Sequence, residues 1–462
     1  MRYPLVIIGG GLSGLAAGIR CARFGHKTLI LEKHTIPGGL NSYYYRKGIL
    51  LETGLHAMTN YAEAADRRAP LCQLFRQLKL SRRNFVTHQQ TISEIQFLNR
   101  ERLLFSNDLD LLSGEIARAF PHCIDRFVGL VETIRNYDSF TPAPWVSTRS
   151  RLKEALGDDL LIEMLLCPLM FYGNSEEHDM DFSQFVIMFR SIFLEGFFRP
   201  EGTIKDFLDQ LLEQFKSFGG EIRLRSGVKE ILRDQDRVQG VVLESGETIP
   251  CEYLLSTAGY PNTLGILQEK NSTEMKQHTG RISFVEMMYF LSQEAKQHLV
   301  TDRTIIFYND SDKFSYRRPG LPVDVASGVI CFPDHFTGLP ERERMQLRVT
   351  HIANYQDWKQ APDADYQRMK GEWGMKSQKI IGKIIGNYQN DIVYEDSFTP
   401  VTIEKFTGKA EGAVYGSPRK IKDGSTAYEN LFVAGTDQGF LGIVGSMLSG
   451  VSIVNQHILG QV

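Results

Sequence analysis

Three short stretches of this 462-residue chain carry residue types that could do chemistry. The first, Gly9-Gly10-Gly11-Leu12-Ser13-Gly14, matches G-x-G-x-x-G and is answered about twenty residues later by an acid, Glu32. In such a turn Gly9 permits a sharp reversal, Gly11 lets a pyrophosphate approach the main chain, and Gly14 lets the next helix pack close to its strand. The helix N-terminus offers N–H groups and partial positive charge to the phosphates. Glu32 can accept hydrogen bonds from both ribose hydroxyls, and its charge disfavours the 2′-phosphate of NADP. The second stretch, "PGGLNSYYYRKGILLETGLHAM" (37–58), brings a further glycine pair, Gly38 and Gly39, and then His56. A plain NAD dehydrogenase needs no second close-approach pair here, whereas an extended FAD must pass over the backbone at this point. The third, "NLFVAGTDQGFLGIVGSMLSG" (430–450), leads a strand into another glycine-spaced turn with one acid, Asp437.

Elements to position these residues are readable around them. "PLVII" (4–8) suits a buried parallel strand, "LAAGIRCARFG" a small-residue helix ending at Gly25, and "KTLILEK" the next strand. Residues 200–259 read as a turn, an amphipathic helix, a glycine cap, a strand, a helix-like turn, and a hairpin with Ser245-Gly246 at its tip. In that helix Ile204, Phe207, Leu208, Leu211, Leu212 and Phe215 form one apolar stripe. Phe182, Phe185, Phe189, Phe193 and Phe197 make a second stripe, whose first reading is core packing. Lining of an apolar tunnel and a membrane-docking face are its alternatives. "LLIEMLLCPLMFYG" (160–173) and "FVEMMYFLSQ" (284–293) add methionine-rich apolar surface suited to a long flexible ligand.

A net charge of −3 gives no general attraction to nucleic acid. Six cysteines stand singly, without a CxxC pair, and fit a reducing compartment in which they act as small buried residues. No metal site is expected; "SEEHDMD" (175–181) reads as a solvated turn. No signal peptide or membrane-spanning run is evident, which predicts a cytoplasmic protein with membrane-surface association left open.

The stretches at 9–14, 37–58, 200–259 and 430–450 together resemble the phytoene desaturase, carotenoid isomerase and retinol saturase family, a branch of the amine oxidase-like flavoproteins. The resemblance implies an α/β fold: a Rossmann-like FAD-binding domain with a parallel sheet, of the GR2 type, and an inserted α+β substrate-binding domain. The expected FAD unit is 1–60, 200–260 and 405–462, and the substrate unit is 61–199 and 261–404. The implied cofactor-binding residues are Gly9, Gly11, Leu12, Ser13, Gly14, Glu32, Lys33, Gly38, Gly39, Leu40, Asn41, Val228, Gly435, Asp437, Gly442, Val444 and Gly445. Val228 is implied to place its backbone against the adenine, and Asp437 to bond the ribitol or pyrophosphate. A helix beginning near Val444 and Gly445 is implied to aim its N-terminus at the flavin. His56 falls where the family's chain passes the flavin, as a proton donor, a flavin hydrogen-bond partner or a structural histidine. Glu52 reads as structural.

The implied reaction is desaturation, saturation or cis–trans isomerisation of carbon–carbon bonds in a lipophilic polyene or acyl chain. Without a second complete nucleotide fold, electrons would be exchanged with dioxygen, a quinone or a separate carrier. Rival readings are an amine oxidase acting on a small amine and a non-catalytic lipid-binding flavoprotein. Thr436-Asp437-Gln438-Gly439 stands where the carotenoid desaturases have a Thr-His-Pro-Gly-like run, so the reaction direction stays open.

Overall fold

The structure, a computed structural model, describes residues 2–461 except 140, 142, 270, 271, 301 and 312. Met1 and Val462, the outer ends of the expected FAD unit, lie outside the described residues.

The strand Tyr3–Ile8 is central. It pairs in parallel with Thr28–Leu31 on one side and with Thr248–Ser256 on the other. Glu221–Arg223 and Leu431–Val433 extend the parallel layer at its two ends. A parallel sheet must be covered on both faces, and alternate residues of the strand show this. Leu5 and Ile7 pack with the helices Leu12–Ala22, Ile204–Ser217 and Gly442–Ile453. Val6 and Ile8 pack against the hairpin residues Ile231, Val238 and Val241. Ile204, Phe207, Leu208, Leu211 and Phe215 are buried in the expected stripe, with Leu212 partly exposed at its edge.

The segment after Arg225 differs from expectation. Val228–Asp234 is a strand, not a helix-like turn, paired antiparallel with Arg237–Leu243. Ile231 faces Val241 across that pair and both reach the core, so tertiary burial on a period of two prevails over the local helical pattern. Gly246 turns with φ +89 at the expected hairpin tip.

A second seven-stranded sheet follows the order 392–398, 283–291, 345–353, 327–331, 305–309, 93–97, 102–105. It is antiparallel apart from the 305–309 and 93–97 pair. Two of its strands come from 61–199 and five from 261–404. The strand Ser283–Leu291 is buried along its whole length. Val285, Met287, Tyr289 and Leu291 meet Trp358, Trp373 and Ile381 on the helical side, and its other face looks toward the first unit.

The phenylalanine stripe is core. Phe182, Phe185, Phe189, Phe193 and Phe197 are all buried, and successive rings of the first four lie 5.6, 5.7 and 5.1 Å apart. The helix loosens into a π-turn at Arg190–Leu194, which re-aims the last of them. The six cysteines are free and buried. Residues 175–181 form a turn less solvated than its composition suggests, since Asp179 accepts from Ser147 Oγ and from the Arg149 amide. No helix among the described residues is long and apolar enough to cross a membrane.

Candidate flavin cradle and active site

A cavity of about 1010 Å3 lies between the two sheets. Next to its Glu32 and Gly39 edge, glycine turns are laid main chain against main chain. Gly9 turns at φ +100, and a Cβ there would meet Thr257 Oγ1 at 2.5 Å. Gly38, at φ +116, donates its N–H to Gly10 O and so lays the second glycine pair beside the first turn. The glycines fall into two kinds. A Cβ on Gly14 would stand 2.1 Å from Gly9 O, and one on Gly450 2.1 Å from Ser13 O, so these are filled by protein. At Gly11, Gly39, Gly435 and Gly442 a Cβ would meet no atom nearer than 4.0, 3.6, 3.8 and 3.5 Å. These four leave room for something other than protein, and Gly39 and Gly442 line the cavity itself.

Gly450 was missed by sequence reading, and it sets the geometry. It lets the helices Leu12–Ala22 and Gly442–Ile453 cross in contact, and the start of the second lines the cavity. Neither helix has a side-chain cap. Ser13 Oγ, buried at the first of these ends, has no hydrogen-bond partner among the described residues. Two uncapped helix starts and an orphan hydroxyl make a donor-rich, electropositive surface.

Other expected residues land as follows. Glu32 lines the cavity, with Oε2 accepting from the Gly10 amide at 2.7 Å and Oε1 from the His34 amide at 2.8 Å. Leu40 and Asn41 line it beside Gly39 in the short helix Gly39–Asn41, while Leu12 is buried at its helix start. Lys33 turns outward to Glu244, 3.5 Å away and largely exposed. Val228 opens its strand outside the cavity lining and packs toward the hairpin core. Val444 and Gly445 are also displaced: the last helix starts two residues early, so Gly442, Ile443 and Ser446 face the cavity. Val444 then joins Met447 and Val451 on the core side.

Asp437 is the clearest departure. Its carboxylate is buried away from the large cavity and accepts from the Tyr260 and Ser417 amides at 2.5 and 2.9 Å. Lys409 Nζ stands 3.8 Å away. Burial opposes its charge, but Lys409 and the two amides outweigh that and hold the carboxyl below its usual range. The acid thus ties 260, 417 and 436 together, and Thr436 lines the cavity in its place. Gln438, in the position that departs from the desaturase pattern, is a second tie: it accepts from Ser449 Oγ and donates to Lys422 O.

The facing wall is made of side chains. His56 Nε2 lies 2.7 Å from Glu286 Oε1 and 3.2 Å from Thr350 Oγ1. Glu286 also receives Arg348 Nε at 2.7 Å and the Thr350 hydroxyl at 2.5 Å. Strand register explains the grouping, because Glu286 stands opposite Thr350 and Met288 opposite Arg348. Behind them Arg348 donates to the Leu55 and Thr53 carbonyls. Arg199, fully buried, donates to Leu55 O, His56 O and Glu52, whose other oxygen takes the Ile204 amide. Glu52 is therefore structural, as its position suggested. Burial and then the Arg348 guanidinium keep the His56 imidazole below its ordinary value in spite of Glu286. Burial works against Glu286 too, yet its neighbours hold its carboxyl well below the carboxylate range. The facing His56 leads these, followed by the Arg348 guanidinium and the hydrogen bonds donated by His56 and Thr350. Beyond His56 the cavity turns apolar, along Ala57, Phe171, Phe284, Val329 and Val414.

Sequence reading missed Glu286, Arg348, Thr350 and Arg199. The available signal was one acid inside "SFVEMMYFL" and one arginine inside "MQLRVTHIA", each a charge in an apolar strand that needs a partner. Among the described residues, the grouping of His, Cys and acid close enough to share an ion is His122, Cys123 and Asp158. There Arg126 already donates to the sulfur.

Comparison with known proteins adds to this geometry. The family model for flavin containing amine oxidoreductases matches residues 12–366. All-trans-retinol 13,14-reductase of Rattus norvegicus is 23% identical over 99% of this chain and 86% of its own length. The chloroplastic prolycopene isomerase of Arabidopsis thaliana is 21% identical over 97% and 81%. An oxidoreductase from Methanosarcina mazei has the same fold, with a TM-score of 0.69 at 15% identity over 99% of this chain and all of its own.

Proposed function

This chain belongs to the flavin-containing amine oxidoreductase family and is an FAD-dependent oxidoreductase, and we propose that it acts on carbon–carbon bonds of a long polyene. The observation that carries the reading is an arrangement around one cavity: a main-chain cradle with room for a cofactor, and beside it an apolar channel ending at His56. The relatives that match nearly the whole chain are named for a retinol reductase and a prolycopene isomerase, and both names denote polyenes.

The residues present fit FAD. The open positions at Gly11, Gly39, Gly435 and Gly442, the unpaired Ser13 hydroxyl and the two uncapped helix starts are what a pyrophosphate and a flavin ring require. Gly9, Gly14 and Gly38 shape that cradle, Glu32 and Asn41 flank it, and Thr436 lines it in front of Asp437. FAD, when bound, supplies hydride transfer. The chain supplies position and charge: helix Gly442–Ile453 favours negative charge at its start by about 0.3–1 kcal/mol, and His56 handles a proton or hydrogen bond at the channel. We further assign 1–60, 200–260 and 405–462 to cofactor binding and 61–199 with 261–404 to substrate. The electron partner is dioxygen, a quinone or a carrier, and the substrate is drawn from a membrane surface.

The test is anaerobic incubation of FAD-loaded enzyme with retinol, with prolycopene and with a lipid extract, followed by mass analysis and chromatography of the geometric isomers. A product shifted by two hydrogens, or an isomer of unchanged mass, supports the reading. Turnover of simple amines with peroxide release, and none of polyenes, replaces it with an amine oxidase. His56→Ala is expected to keep full FAD content while losing turnover.

A further inference from the structure

The hydrogen atoms around His56 can be counted, and the count places one on Nε2. Glu286, held ionised beside Arg348, can only accept. Thr350 has one hydroxyl hydrogen, and it goes to Glu286 Oε2 at 2.5 Å. Arg348 Nε gives its hydrogen to Oε1. Both groups that face His56 Nε2, Glu286 Oε1 at 2.7 Å and Thr350 Oγ1 at 3.2 Å, therefore present lone pairs. A bare ring nitrogen there would set a third lone pair against them, so Nε2 carries the hydrogen. In a neutral ring Nδ1 is then the acceptor, and it has no partner among the described residues while the ring lines the cavity.

The ring is held from behind as well. Arg348 grips the carbonyls of Thr53 and Leu55, and Arg199 those of Leu55 and His56. The charges around the ring are thus Glu286 and Arg348 from the second sheet and Arg199, backed by Glu52.

We infer that Glu286 is the positioning residue of this site: it holds His56 as the Nε2–H tautomer and so presents Nδ1 to the bound ligand as an acceptor. The functional consequence rests on the proposed role of His56, and it narrows the ligand. The atom opposite His56 carries a hydrogen it can give, as in the hydroxyl of a polyene alcohol. When that hydrogen is transferred as a proton, the bonding pair stays on the ligand and the proton ends on Nδ1. The imidazolium then lies against Glu286, which offsets its charge.

The test uses FAD-loaded protein labelled with 15N-histidine, with His56 signals assigned by their loss in His56→Gln. Long-range proton–nitrogen spectra at about pH 7.5 are expected to show a neutral ring protonated at Nε2. Glu286→Gln is expected to mix the tautomers and to move the acid limb of kcat/KM to lower pH by about one unit or more. Glu286→Asp is expected to restore the wild-type tautomer. An Nδ1–H tautomer or an imidazolium in the wild type overturns the assignment, as does a Glu286→Gln protein with the wild-type tautomer. If Glu286→Gln fails to fold, the wild-type spectrum decides alone. The spectrum needs no turnover, so a wrong choice of substrate leaves it standing. A polyene-active enzyme with the other tautomer overturns only the role of Glu286.

Discussion

The two walls of the cavity do their work by opposite means. The wall at 9–14, 38–41 and 435–446 recognises with main-chain groups, missing Cβ atoms and helix ends, and has few charges of its own. The wall at 52–56, 199, 286 and 348–350 is a cage of buried ionised side chains. A main-chain wall is insensitive to pH and tolerant of what lies behind it, but it fails when a single methyl is added in front. A caged wall fails the other way, because each buried charge depends on its partner. The difference suits the proposed division of labour, in which one wall would grip a cofactor of fixed shape and the other set the direction of one histidine.

The largest effect should come from breaking the cage. Arg199 is fully buried, and its removal leaves Glu52 charged and unpaired and the bonds to the Leu55 and His56 carbonyls unmade. Arg199→Leu is expected to cost about 3–5 kcal/mol of stability, read by chemical denaturation of the loaded enzyme. A cost below about 1 kcal/mol would mean that the cage is not what holds residues 53–56.

The cradle should break differently. Gly11 has an ordinary extended backbone, φ −70, and open space where a Cβ would sit. Gly11→Val is therefore expected to fold with near wild-type stability as apoprotein and to lose FAD affinity by roughly 1–3 kcal/mol, or about 5- to 150-fold. Fluorescence titration of FAD against thermal unfolding of the apoprotein separates the two. If stability falls as far as affinity, the cradle is ordinary packing and the contrast between the walls is lost.

The two walls also differed in how far they could be read from residues alone. Glycine positions 9, 11 and 14 lie within six residues and the turn they make is local, so their spacing is the signal. The parallel sheet followed from the same stretch. Asp437 shows the limit: its type and place beside Gly435 were read, yet its carboxylate faces Tyr260 and Ser417, which only tertiary contact reveals. Val444 shows another, since a two-residue error in a helix start rotates it from cavity to core. Glu286 and Arg348 are 62 residues apart and meet through strand register, for which no local pattern exists. A lone charge in each apolar strand announced that a partner was needed without saying which.

pH gives a third handle. Glu195 follows the π-turn and accepts from Asn60 Nδ2 at 2.7 Å. Burial raises its carboxyl to about 7 despite Asn60 and Arg190. The folded state then holds a proton the unfolded chain has released, so stability falls as pH rises from about 4.5 to about 7 and is level beyond. Glu195→Gln fixes the neutral form. It is expected to match the wild type near pH 4.5 and exceed it above about pH 7 by roughly 1–3 kcal/mol in urea unfolding. Parallel curves for the two proteins would show that Glu195 is not a source of pH dependence.

The smallest change makes the sharpest distinction. Ser13 Oγ is buried with no partner at the start of Leu12–Ala22, an arrangement that costs the folded protein about 1–3 kcal/mol on its own. A hydroxyl kept there for packing would be dispensable, and Ser13→Ala would relieve the cost without other effect. A hydroxyl kept for the cofactor gives up stability in the apoprotein and regains it on binding. Ser13→Ala should then stabilise the apoprotein slightly while weakening FAD by about 0.5–1.5 kcal/mol, roughly 2- to 10-fold. The two changes have opposite signs, so a general loss of structure cannot mimic them. Unaltered FAD affinity would remove Ser13 from the cradle and leave that wall to the backbone alone.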